Sequence, residues 1–343
     1  MRSHRVRLVT TASLVAAALV GSPSAPALAA TAIPAHVFAP YFMTWTTDSM
    51  TTLAQQSGAR YFTLAFLETL GKHSCTVAWN GSKSQTIGSG RYLSDIASLR
   101  AMGGDVIPSF GGWSADQGGT EIADSCTDVN AIATAYESVI TTYDVTRLDM
   151  DIEGRSLTRT AGIDRRNKAI AIVESWAAAH GRPLQISFTV PTSPGGLEAS
   201  GVAILQNAIS NGTRVDVVNI MTFDYYDRTT TDMGAAAVSA ATGVHAQLAT
   251  LYPGRTAAQL WAMEGNTILP GIDDYPRKTE VTYVADAQKL LSFAQSKGIG
   301  TLSMWAIQRD NGGCPGVTDA NNCSGIVQNT WDFTHLLQPY TGT

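Results

Sequence analysis

The chain has 343 residues, 44 % of them hydrophobic and 15 % charged, with a formal net charge of −5. So much apolar content and so little charge exclude a disordered chain. The acidic balance excludes a chain-wide basic surface for DNA or RNA, since such binding rests on phosphate neutralisation.

Arg2, Arg5 and Arg7 precede an apolar run from Leu8 to Val20, and Ala27-Leu28-Ala29 supplies a small-residue cleavage site. This order predicts a secretory signal peptide over residues 1–29. The run is too short to span a bilayer comfortably. There is no twin-arginine pair and no lipobox cysteine. A secreted, extracellular protein is expected, with one domain over residues 30–343 and no membrane partner.

An oxidising compartment lets cysteines pair. Cys314 and Cys323 flank a short stretch rich in Gly, Pro and Asn, which predicts a local staple. Cys75 and Cys126 are then left as the second pair, among the three connectivities that four cysteines allow. There is no CxxC and no histidine at ligand spacing from a cysteine, so no metal centre is expected there.

From Ala32 onward, strand-length apolar runs alternate with segments of helical period. The predicted strands are Val37–Tyr41, Tyr61–Phe66, Val106–Phe110, Arg147–Ile152, Leu184–Val190, Val217–Phe223, Leu260–Ile268 and Thr301–Ile307. The predicted helices include Tyr92–Met102, Asp128–Tyr143, Asp164–Ala179, Ala285–Lys297 and Ile326–Leu337. Gly103, Gly181 and Gly298 act as stops, and Pro339 follows the last helix. Eight such units predict an α/β fold of the (β/α)8 barrel type. A doubly wound open sheet is the alternative. The turn after the first strand, Phe42-Met43-Thr44-Trp45, lacks its glycine fingerprint.

A barrel places chemistry at the C-terminal ends of its strands. The polar and aromatic residues gather there. The first strand ends at Tyr41, with Trp45 just beyond. The third ends in Ser109-Phe110-Gly111-Gly112-Trp113, and the sixth in Met221-Thr222-Phe223-Asp224-Tyr225-Tyr226. The eighth runs through Trp305 to Asp310.

The fourth strand carries the strongest signal. In Arg147-Leu148-Asp149-Met150-Asp151-Ile152-Glu153, the strand period puts Asp149, Asp151 and Glu153 on one face. Carboxylates this close cannot all ionise freely, so one of them holds a proton near neutral pH. A protonated acid beside an ionised one suits acid catalysis on a glycoside. An exposed acidic edge strand fits poorly, because the alternate positions are strictly apolar. A divalent-cation site would need further ligand-spaced residues.

These motifs resemble glycoside hydrolase family 18, the chitinase family. Its fourth-strand signature DxxDxDxE matches at Asp149, Asp151 and Glu153, with Thr146 in place of the first acid. Its SxGG motif matches Ser109-Phe110-Gly111-Gly112. Its Met-x-Tyr-Asp motif matches Met221-Thr222-Phe223-Asp224, with Phe for Tyr. Its eighth-strand tryptophan matches Trp305.

The resemblance implies a substrate-assisted, retaining hydrolysis of chitin or N-acetylchitooligosaccharides, without a cofactor. Glu153 would be the acid and base. Asp151 would orient the acetamido group, its ionised form raising the pKa of Glu153. Asp149 would share a proton with Asp151, and Ser109 would support the pair. Trp305 would floor the subsite, with Trp45 and Trp113 extending it. Tyr41, Met221, Phe223, Asp224, Gly111 and Gly112 are counted with the substrate-binding residues. Phe223 cannot donate a hydrogen bond. Tyr225 or Tyr226 could supply the hydroxyl instead, and Tyr226 is preferred because it continues the alternation of Asp224.

Many family members carry an α+β insertion after the seventh strand. The short Pro270-Gly271-Ile272-Asp273-Asp274 loop leaves no room for one, which implies an open groove. The other readings are an endo-β-N-acetylglucosaminidase acting on N-glycans and a non-catalytic chitin-binding lectin. A serine or HExxH metal hydrolase lacks its motif. A monomer is expected.

Overall fold

The computed structural model describes residues 29–274, 279–318 and 321–343. The expected signal peptide falls almost wholly on residues 1–28, outside the described residues.

The first barrel strand is split into β1 (Val37–Phe38) and β2 (Tyr41–Met43). Pro40 lies at the break and has no N–H to offer a ladder. Next come β3 (Tyr61–Thr69) and β4 (Val77–Trp79), an antiparallel pair. The parallel series continues with β5 (Asp105–Gly111), β6 (Arg147–Asp151), β7 (Gln185–Pro191), β8 (Val217–Met221) and β9 (Glu264–Ile268). A two-residue hairpin, β10 (Gly271–Ile272) with β11 (Val281–Thr282), precedes β12 (Thr301–Met304). The strand order is β1-β12-β9-β8-β7-β6-β5-β3-β2. Since β1 pairs with β12 and β2 with β3, the split strand closes the sheet on itself. Counting the split strand once gives the eight parallel positions of a (β/α)8 barrel. Between β9 and the helix after it, the described residues hold a short hairpin and no α+β insertion.

The helices are α1 (Met50–Ser57), α2 (Leu93–Ala101), α3 (Trp113–Gly118), α4 (Ile122–Ser125), α5 (Val129–Tyr143) and α6 (Thr160–Ala179). They continue as α7 (Ala199–Ser210), α8 (Met233–Leu251), α9 (Ala257–Ala262), α10 (Val284–Lys297) and α11 (Asp332–Leu337). The ends follow their local chemistry. The Asp128 side chain accepts the N–H groups of Asn130 and Ala131 at the start of α5. Gly298, left-handed at φ 76°, closes α10 as its sequence position predicts.

Two predicted elements start late. The first three residues of the expected strand Leu260–Ile268 are helix, because Thr256 and Gln259 form a capping box that starts α9. The strand begins only at Glu264. The expected helix Ile326–Leu337 starts six residues late, at Asp332. The buried Asp310 carboxylate accepts the N–H groups of Phe333 and Thr334 and caps the helix there.

Each strand separates two environments. Leu148, Met150 and Ile152 join the large apolar layer between sheet and helices, each burial favouring the fold by roughly 2 kcal/mol. The barrel interior holds an apolar cluster of Val37, Ala39, Tyr61 and Ile107 and, beyond it, a polar network. Asn219 donates to Thr189 at 2.9 Å, and Thr267 donates back to Asn219 at 3.0 Å. At the N-terminal end, Arg147 donates to Gln185 and Thr301. Disulfides close Cys75–Cys126 and Cys314–Cys323. Among the described residues, no helix is long and apolar enough to cross a membrane.

Candidate active site

The strands deliver a group of acids to the C-terminal mouth of the barrel. Strand β6 pairs Asp149 with Ser109 on β5 and Ser187 on β7, and Asp151 with Gly111 and Thr189. Asp149 points inward and collects hydroxyl donors. Ser109 donates to its Oδ2 at 2.7 Å, Tyr41 to the same oxygen at 3.0 Å, and Thr189 to Oδ1 at 2.8 Å. Burial raises the Asp149 pKa, and these bonds, with a further one from Ser187, work against the rise. Asp149 is thereby the acid best able to stay ionised. Thr146, the departure from the expected acid, lies half-buried just before β6 begins, at the far end from the mouth.

Asp151 has no such help. It is buried and its Oδ1 has no hydrogen-bond partner. Burial first, then the charges of Glu153, Asp149 and Asp116, hold its pKa well above the usual carboxylate range. Glu153 is half-buried just past the strand. Burial pushes its pKa up to about 7, Asp274 adds to the rise, and the Trp113 N–H opposes it. Asp151 and Glu153 titrate as one coupled pair. Burial is the main cause of the rise at both acids, and the charge of each disfavours ionisation of the other.

The aromatic residues line one side. Trp305 follows β12 and donates its backbone N–H to Ile268 O at 2.8 Å. Its ring stacks on Phe66 at 5.6 Å and 8°. Tyr41 and Trp45 flank it at 5.6 and 5.9 Å. Trp45 and Trp113 are exposed, 46 % and 59 %, and Trp45 stacks on Phe66 at 6.5 Å. Gly111 and Gly112 have φ of 101° and 83°. A Cβ on Gly111 would lie 2.1 Å from Asp151 O, and one on Gly112 would lie 2.5 Å from the Phe66 ring. Both positions need glycine for space as well as for backbone.

The sixth barrel strand ends earlier than expected. β8 stops at Met221, and Asp224 and Tyr226 both adopt left-handed backbone, at φ 52° and 56°. The strand alternation used to choose Tyr226 does not extend there. Two buried acids hold the turn instead. Asp273 accepts the Asp224 N–H at 2.9 Å, and Glu280 accepts the N–H groups of Tyr225 and Tyr226 at 2.8 and 2.9 Å. Tyr226 is exposed, and its hydroxyl is hydrogen-bonded to Asp224. Tyr225 turns inward with Met221, Phe223, Met233 and Leu269, and Trp305 packs against this group.

Asp224, Asp273 and Asp274 bring carboxylate oxygens within 4.8 Å of one another. Such hard donors are of the type that calcium or magnesium takes. Burial and the two neighbouring acids push Asp224 up to about 11, so a proton already relieves their repulsion.

Phe66, Asp116, Asp273 and Glu280 join the site without any sequence signal. Each comes from a segment far from the fourth-strand motif, and only the closed barrel brings them near. The chemical capacity is a proton donor near pH 7, a buried acid with a free oxygen, and an aromatic wall.

Residues 37–287 match the model for glycosyl hydrolases family 18. The chain is 31 % identical over 322 residues to the probable bifunctional chitinase/lysozyme of Escherichia coli (strain K12), covering 90 % of this chain and 35 % of that protein. It is 32 % identical over 287 residues to Endochitinase 11 of Metarhizium anisopliae, covering 81 % and 53 %. It thus spans about a third and about half of these relatives' lengths. Active domain 2 of the chitinase from Pyrococcus furiosus superposes with a TM-score of 0.79 at 30 % identity, covering 90 % of this chain and 96 % of that one. A chitinase of the same family from Pseudoalteromonas aurantia shares the fold at 16 % identity, with a TM-score of 0.56. With the matched region, the fold and the strand-end motifs in agreement, this chain belongs to glycoside hydrolase family 18.

Proposed function

We propose that the protein is a secreted chitinase that cleaves β-1,4 bonds between N-acetylglucosamine units with retention. The observation that carries this reading is the array of Asp149, Asp151 and Glu153 beside Trp305, in which Glu153 is pushed up to about 7. Glu153 protonates the glycosidic oxygen, and the C1–O bond breaks. The acetamido oxygen of the same sugar forms a bond to C1 and gives an oxazolinium ion. Asp151 holds the acetamido N–H through its unpartnered Oδ1. Water then attacks C1 as the C1–O bond of the oxazolinium breaks and restores the acetamido group, and the water gives its proton to Glu153, which restores the acid. The sugar packs its apolar face on Trp305.

Tyr226, whose hydroxyl is bonded to Asp224, is the donor that would stand in for the hydroxyl Phe223 lacks. Structures of Pyrococcus furiosus chitinase variants complexed with chito-oligosaccharides support the substrate class. The short connection between β9 and α10 supports an open groove and internal cleavage. Arg2, Arg5, Arg7 and the run after them support export.

The test is hydrolysis of N-acetylchitooligosaccharides, followed by the anomeric signals of the product. The wild type is expected to cleave with retention, and Glu153→Gln to be slower by on the order of 10²- to 10⁴-fold. A wild type that binds the oligomer without cleaving it moves the reading to a lectin. Release of the core from an N-glycoprotein alone moves it to an endo-β-N-acetylglucosaminidase.

A further inference from the structure

One fully buried acid beside the array has no task in this scheme. Asp116 lies on α3, three residues beyond Trp113, and is 0 % exposed. Its Oδ2 accepts the backbone N–H of Glu153. Its Oδ1 is buried and has no hydrogen-bond partner. A buried carboxyl with half its bonding capacity unused is costly and survives only where its remaining contact is needed.

That contact lies at the exit from β6. The Asp116 N–H donates to Gly112 O at 3.0 Å, and the Gly112 N–H donates to Asp151 O at 3.1 Å. The first turn of α3 is thus tied to the chain at Asp151, and the Asp116 carboxyl ties it again at Glu153. Between these ties the backbone of Glu153 is extended, at φ −130° and ψ 179°, before Gly154 turns away at φ 43°. Behind Asp116, a buried ion pair of Arg166 and Glu121, 3.1 Å apart, backs the same pocket.

We infer that Asp116 is a positioning residue for Glu153: by accepting the Glu153 N–H it fixes where the chain leaves the fourth barrel strand and so aims the Glu153 carboxyl at the glycosidic oxygen. The inference rests on Glu153 being the acid of the proposed reaction. Misplacement of a reacting group by about 1 Å costs on the order of 10²-fold in rate.

The test uses the full chain with Asp116→Ala and Asp116→Asn. On an N-acetylchitooligosaccharide, Asp116→Ala is expected to lower kcat about 10²-fold and to change KM less than about threefold. Asparagine keeps a carbonyl oxygen for the N–H, so Asp116→Asn is expected to return to within about tenfold of wild type. Damage to the fold alone would move the melting temperature and KM together and would not be rescued by asparagine. An alanine variant within about threefold of wild type, or an asparagine variant as slow as alanine, overturns the inference.

Amide hydrogen exchange at Glu153 separates this failure from failure of the chitinase reading. If the folded wild type hydrolyses nothing, the proposed reaction falls and exchange decides the inference. Faster exchange at the Glu153 amide in Asp116→Ala, reversed in Asp116→Asn and absent along β6, upholds it. Equal exchange in all three proteins overturns it.

Discussion

Two groups of three acids stand at the barrel mouth, and they place their protons by different means. On β6, Asp149 accepts from Ser109, Tyr41 and Thr189. Those hydroxyls favour its charge and drive the proton toward Asp151 and Glu153. After β8 and β9, Asp224, Asp273 and Asp274 meet with one hydroxyl, that of Tyr226, on Asp224 among the described residues, and a proton stays on Asp224 itself. Burial raises acids in both groups. The hydroxyl donors decide whether the proton is fixed or poised for transfer.

The sharpest way to break this contrast is Asp149→Asn. The neutral amide cannot carry the charge that the three hydroxyls stabilise, and its own N–H groups conflict with them. kcat is expected to fall by on the order of 10²-fold, the size of a general acid–base contribution. Retained kcat would show that the hydroxyl set does not tune the array.

A smaller effect sharpens the link between the groups. Glu153, pushed up to about 7, must be protonated to act as acid, so kcat/KM falls as pH rises through that value. Asp274 contributes to the shift. Asp274→Asn is expected to move this limb to lower pH, by less than about one unit. A limb that stays in place would separate the two groups.

A third test of the contrast reads stability. The folded Asp224 keeps its proton up to about 11, whereas the unfolded chain releases it near the ordinary value of about 4. Its contribution is complete below the unfolded value and is lost as pH rises between the two values, at most about 1.4 kcal/mol per pH unit. Urea unfolding of Asp224→Asn at several pH values is expected to show a shallower loss of stability toward alkaline pH. Parallel curves for variant and wild type would contradict the assignment of the proton.

What could be read in advance followed local periodicity. The alternation of Asp149, Asp151 and Glu153 with Leu148, Met150 and Ile152 is a two-residue pattern, and it becomes the two faces of β6. Gly298 stops a helix by its own backbone, so it too was legible. Thr256 and Gln259 also carried a local signal, a capping box, but the apolar run after them reads equally well as strand. The proton arrangement was not legible. It depends on Tyr41, Asp116 and Thr189, which sequence separates from the motif and only the closed barrel assembles. The choice of Tyr226 over Tyr225 rested on an alternation that stops at Met221. Its placement beside Asp224 comes instead from Glu280, more than fifty residues further along the chain.

The split first strand has a consequence for the order of events during synthesis. β1 waits for β12, whose residues lie more than 260 positions later. Tyr41 and Trp305, on the two sides of that seam, come into contact only when it closes. Contacts so distant along the chain form late. A chain still being made can build most of the sheet and even the acid array on β6, yet it has no complete sugar platform until its final strand docks. On the proposed reading, an unfinished polypeptide is then expected to be silent toward chito-oligosaccharides until the barrel is complete.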